Sequence, residues 1–168
     1  VKQYASQKKL LKLKMIKDIM KYSEQISNKL NKLLVKNYDA EKGYINAAKN
    51  VESDRLQSFF REQAEIRSTF AKEIRTEILS YGQIPEDSGS FQGTLHRNWM
   101  SLKSTFSSND EETILDEAMR GEKASLEDFN EILQEDNLPP TTENMLIRQR
   151  NKIQAAINSI KVQEELVS

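Results

Sequence analysis

The stretch ISNKLNKLLVKNYDAEKGYINAAKNV, residues 26–51, decides the fold. In it Ile26, Leu30, Leu33, Asn37, Glu41, Tyr44, Ala48 and Val51 recur three and four residues apart, the spacing that lines one side of an α-helix. We read a first bundle helix over roughly Tyr22 to Val51. Asn37, Glu41 and Tyr44 put polar groups inside that otherwise apolar series, so the interior this helix faces holds some polar chemistry.

Working outward, Ser53 or Asp54 can cap a second helix with an inner series of Leu56, Phe60, Gln63, Phe70, Ile74, Ile78 and Tyr81. Gly82 suits the residue after its end, and Pro85 bars continuation. A long connection follows, from Gly82 to Asp110. It opens with Pro85, Glu86, Asp87, Ser88, Gly89 and Ser90, then carries Leu95, Trp99, Leu102 and Phe106 at helical spacing, which predicts a short helix packed over the bundle. Ser107 to Asp110 form the next break, with Glu111 and Glu112 placed for a first helical turn. Ile114, Ala118, Glu122, Ser125, Phe129 and Ile132 mark a third helix. Asn137 to Pro140 interrupt it, and Leu146, Gln149, Ile153, Ala156 and Ile160 mark a fourth.

Two short turns flanking one long connection describe paired hairpins joined by a crossover. The expected fold is all-α: a four-helix bundle over residues 22–168, preceded by a helical extension over residues 1–21. In the extension, Lys2, Lys8, Lys9, Lys12, Lys14, Lys17 and Lys21 face only Asp18 in charge. Its apolar residues, Leu10, Leu11, Leu13, Met15, Ile16, Ile19 and Met20, form no single stripe, which disfavours a membrane-surface helix and suits a packed or self-associating one.

Composition narrows the function classes. The 168 residues suit one domain, and five glycines with three prolines leave little material for an all-β fold. Without cysteine there are no disulfides, thiolate metal sites or cysteine nucleophiles. The net charge of -1 gives the whole molecule no pull toward nucleic acid, leaving contact with nucleic acid or another anionic surface to residues 1–21. No segment is long and apolar enough to span a bilayer and no signal sequence is recognisable, so a cytoplasmic location is expected. Phosphate-binding glycine loops, nucleophile elbows and zinc-finger spacings do not occur.

Several blocks in fixed order resemble the PA2169-type four-helix-bundle proteins, a ferritin-like family of uncharacterised bacterial proteins. They are Asp39 to Tyr44 with Ala47-Ala48, and Phe59-Phe60 through Glu65, Arg67 and Phe70-Ala71. They continue with Gly89-Ser90, Gly93, Leu95 to Lys103, Glu117, and Arg120-Gly121-Glu122. The resemblance covers Ser27 to Ile160, excludes the lysine-rich start, and implies a ferritin-like bundle whose wider group includes iron and oxidative-stress proteins.

A ferritin-like dinuclear centre draws carboxylates from two helices and Glu-x-x-His motifs from two more. The single histidine, His96, lies in the crossover, and no Glu-x-x-His occurs. A reduced all-oxygen site would use Glu41, Glu65 and Glu122, with Gln63 or Gln149 as an extra ligand, and would take iron or manganese. The competing reading is that Glu41 and Glu122 are buried acids compensated by Arg67, Arg148 or Arg150, or by Asn37 and the glutamines. His96 reads as a cap or packing contact and Trp99 as a core or interface anchor.

The leading expectation is a noncatalytic structural, stress-associated or protein-interaction module. Its rival is a divergent carboxylate-bridged metal protein with oxidase or peroxidase activity. A homodimer or another protein partner is expected, because the extra apolar segment and Trp99 need burial.

Overall fold

The computed structural model describes residues 2–87 and 110–168 and places there four α-helices: α1 (Lys2–Asn50), α2 (Asp54–Ser80), α3 (Glu111–Leu133) and α4 (Pro140–Val167). The expected short helix around His96 and Trp99 lies outside the described residues.

The N-terminal extension is not a separate element. It is the first part of α1, which runs 49 residues unbroken, roughly 74 Å at 1.5 Å per residue. Neither glycine nor proline occurs before Gly43, and the run is rich in Leu, Lys, Met and Gln, all good helix formers. Burial begins only around Tyr22: residues 3–21 are exposed, whereas Ile26, Leu30 and Leu34 are sealed in the core.

Local chemistry sets the other boundaries. Ser53 caps α2 by accepting from the Leu56 amide at 3.4 Å, and Glu111 Oε1 accepts from the amides of Glu52 and Ser53 at 3.2 and 3.0 Å. Gly82, at φ +72°, ends α2 in the left-handed conformation, with its amide on Leu79 O and that of Gln83 on Ile78 O. Asp110 caps α3 by accepting from the Glu112 amide at 3.1 Å. Asn137, at φ 63°, turns the chain toward Pro139 and Pro140, whose missing amide costs nothing at a helix start.

The side-chain ladder fixes the directions. Along α1 and α3, Lys29 pairs with Glu135, Lys36 with Asp128 at 2.6 Å, and Tyr44 with Glu122, so the two helices run antiparallel. Along α2 and α4, Glu77 accepts from Thr141 at 3.0 Å, and Glu73 takes Arg148 at 2.9 Å and Gln149 at 2.7 Å, again antiparallel. Packing is closest within the α1/α2 and α3/α4 hairpins. The order is therefore up, down, down, up, and the connection from α2 to α3 has to return the length of the bundle, as the long 82–110 spacing required. Its first residues already run back along α1, where the Glu86 amide donates to Asn31 Oδ1 at 2.8 Å and Arg75 Nη1 donates to Glu86 O at 3.1 Å.

The core is continuous from Ile26 and Ile78 at one end to Val51, Leu56 and Ile114 at the other, with Phe60, Phe70 and Phe129 filling its middle. At α3 the sequence reading and the structure differ in register. Leu115 and Met119 join Ile114 and Glu122 in the interior, while Ala118 and Ser125 turn toward the seam with α1.

Candidate functional site

In the middle of this core, four polar side chains from three helices meet. Asn37 and Tyr44 stand two turns apart on α1, Arg67 comes from α2 and Glu122 from α3, and all are buried. Arg67 Nη2 donates to Glu122 Oε2 at 2.7 Å and Arg67 Nη1 donates to Asn37 Oδ1 at 3.0 Å. The Tyr44 hydroxyl donates to Glu122 Oε1. Asn37 is itself held by donating from Nδ2 to Leu33 O at 2.9 Å. The guanidinium carbon of Arg67 also sits 5.6 Å from the centroid of the Phe70 ring, an apolar wall that a guanidinium tolerates better than an ammonium would.

This arrangement satisfies the strict condition for burying charge: opposite signs in contact, with the remaining polar atoms hydrogen-bonded. Each Glu122 oxygen has a donor. Burial first, and then the Glu122 charge, push the Tyr44 phenol well above its ordinary value, with Arg67 opposing, so Tyr44 keeps its proton and donates it to the carboxylate.

Beside the cluster, the seam between α1 and α3 opens into a cavity of about 330 Å³. Its walls include the small residues Ala40, Gly43 and Ala47 of α1 and Gly121 of α3, and Tyr44, Arg67 and Glu122 reach it from the core side. Asp39 stands at its edge, half-buried. Loss of hydration raises its carboxyl to about 6, an effect that nearby Lys42 partly offsets.

Of the three carboxylates expected to hold metal, the structure buries Glu122, leaves Glu41 half-buried and puts Glu65 on the exposed face of α2. They are not brought together, and among the described residues no group of three His, Cys, Asp or Glu side chains is placed to hold a metal ion. Gln63 is buried, and Gln149 donates from the core to Glu73 Oε2 and to Phe70 O at 3.4 Å rather than joining Glu122. The donor set does not fit a ferritin-like iron or manganese centre: a guanidinium and a phenol occupy the two oxygens of its inner carboxylate.

Compensation of Glu122 by Arg67 and Asn37, the competing sequence reading, is the arrangement present; Arg148 instead pairs with Glu73 at the surface. Sequence reasoning missed Arg67 as a member of the inner series of α2. The signal was there: the series steps from Gln63 straight to Phe70, and position 67 fills that gap at four and three residues. The role of Tyr44 as donor to Glu122 was also missed, because pairing across helices leaves no local spacing.

The solved structure of a dodecameric thioferritin, the bacterioferritin-related protein from Bacteroides fragilis, matches this chain with a TM-score of 0.69. Identity is 19%, over 88% of this chain and 90% of that one, so the likeness speaks to the fold alone. No curated protein matches the chain. The fold is thus that of a ferritin-like four-helix bundle related to the PA2169-type proteins, without evidence of a catalytic metal centre among the described residues. A family model matches residues 25–135, which is most of the chain, and on that match the protein belongs to the family described as Domain of unknown function (DUF2383).

Proposed function

We propose that this protein is a noncatalytic bundle acting as a structural or protein-interaction module. The observation that carries the reading is the buried network: Arg67 and Tyr44 take both oxygens of Glu122. Metal-assisted oxidation or peroxide reduction needs inward carboxylates with free lone pairs and an open coordination position. A carboxylate closed by a guanidinium supports a scaffold instead.

The rival reading is a metal centre on Glu41, Glu65 and Glu122, and one experiment separates the two. Protein purified without oxygen is titrated with Fe²⁺ or Mn²⁺ and followed by calorimetry and elemental analysis. A scaffold takes up no stoichiometric metal. Stoichiometric uptake, lost in the folded Glu41→Gln/Glu122→Gln variant, would overturn the proposal.

Self-association belongs to the same reading. The exposed apolar surface of the first part of α1 supports it, and the Bacteroides fragilis thioferritin assembles as a dodecamer. The expected homodimer is the simplest closed form, and light scattering of the full chain gives the number of copies.

A further inference from the structure

Among the described residues no element covers the first five turns of α1, yet they carry Tyr4, Leu10, Leu11, Leu13, Met15, Ile16, Ile19 and Met20, each between 45% and 72% exposed. Seven lysines and Asp18 give this segment a charge of +6, while the remaining residues, 18 basic and 25 acidic, carry -7. The acidity is concentrated. Residues 110–136, containing α3, hold eleven acids against Arg120 and Lys123, net -9. Of these, Glu112, Asp116, Glu127 and Glu131 are exposed along the outward side of α3, with Arg120 and Lys123 between them.

We infer that residues 2–21 of one chain dock along α3 of a second copy, across the seam that α3 forms with α1. The partner is the same protein because the complementary surface lies on this chain. Residues 2–21 span ~30 Å and the 23 residues of α3 ~35 Å, so the two match in length. Their charges are opposite, and the seam cavity, lined by Ala40, Gly43, Ala47 and Gly121 together with Asp39, Glu117 and Asp128, gives leucine and methionine side chains a recess with acids of its own. The pairing continues one the fold already uses: within one chain Lys29 and Lys36 of α1 meet Glu135 and Asp128 of an antiparallel α3. Apolar residues around the whole segment argue against a phosphate backbone as partner, since lysines alone would serve that.

This inference rests on reading the protein as an interaction module, and its test is independent of metal. The full chain is followed by light scattering and sedimentation at low and high salt, beside two charge reversals checked for helix content by circular dichroism. One carries Lys8→Glu, Lys9→Glu, Lys12→Glu and Lys14→Glu; the other carries Glu112→Lys, Asp116→Lys, Glu127→Lys and Glu131→Lys. The wild type associates, salt weakens it, and each reversal alone weakens association at least tenfold. Both reversals in one chain restore it. A monomeric wild type, association surviving either reversal, or no restoration in the combined variant overturns the inference. So does a wild type that stays monomeric yet binds duplex DNA or phosphatidylglycerol vesicles. Metal uptake with association intact would overturn the noncatalytic reading and leave this seat standing.

Discussion

Arg67 and Glu122 meet at 2.7 Å, with their side chains 3% and 2% exposed, and between them they join the two hairpins of the bundle: Arg67 belongs to the α1/α2 pair and Glu122 to α3/α4. At that depth, little solvent reaches either group if the other is removed, apart from what the seam cavity that both line admits. The energetics of the pair are therefore those of mutual dependence rather than of a strong bond.

Removing one partner leaves a lone buried charge, which costs about 3–5 kcal/mol. Arg67→Met and Glu122→Leu are each expected to lower stability by about that much in urea unfolding, while the double variant loses markedly less than the two combined. Losses that simply add would mean that the charges do not interact.

Tyr44→Phe removes a hydroxyl that donates to a buried carboxylate, at a cost of about 1.5–3 kcal/mol. Because the Tyr44 phenol is raised, the folded protein holds that proton at pH values where the unfolded chain, titrating near 10, has lost it. The folded state then binds more protons, and stability falls as pH rises above about 10. Phenolate absorbance should be the same in the folded wild type and in Tyr44→Phe through the pH range where free phenols ionise, diverging only on unfolding.

Asp39 works in the acid range with the same sign. Its folded carboxyl is raised to about 6, above the ~3.9 of an unfolded aspartate, so between those values the folded state again holds the extra proton. The stability contributed by the protonated form is complete below about pH 4 and lost as pH climbs through 6. Asp39→Asn should raise the melting temperature at neutral pH and leave it unchanged near pH 4. Carboxyl chemical shifts of the wild type should show a midpoint near 6 at this residue.

Gly82 ends α2 at φ +72°, with open space where a side chain would project. Gly82→Ala meets no neighbour and pays only for its backbone, about 1 kcal/mol, which chemical denaturation would resolve. A much larger loss would imply contacts from the crossover at this point.

The fold was legible because each signal it needed is local. The series from Ile26 to Val51, the capping Ser53, Gly82 and the Pro139-Pro140 break each act within one or two turns, and together they set the helices and the hairpin pattern. The centre was only half legible. Glu122 and Asn37 were placed inward by period, and Arg67 was named among three arginines able to answer a buried acid but left out of the inner series of α2, while Glu65 was taken as a ligand although it is exposed. Which cation answers a buried acid depends on how helices from distant parts of the chain are set against one another, and no spacing within one helix encodes that.

The directions of the helices make the molecule a ruler. Since α1 and α4 point the same way, Lys2 and Val167 stand at opposite poles, roughly 70 Å apart along the 49 residues of α1. Dyes on Gln3 and Ser168 of one chain are too distant to exchange energy efficiently. A label placed near Val167 leaves the lysine-bearing first turns of α1 clear, and a surface tethered there would hold those turns outward, the length of α1 away.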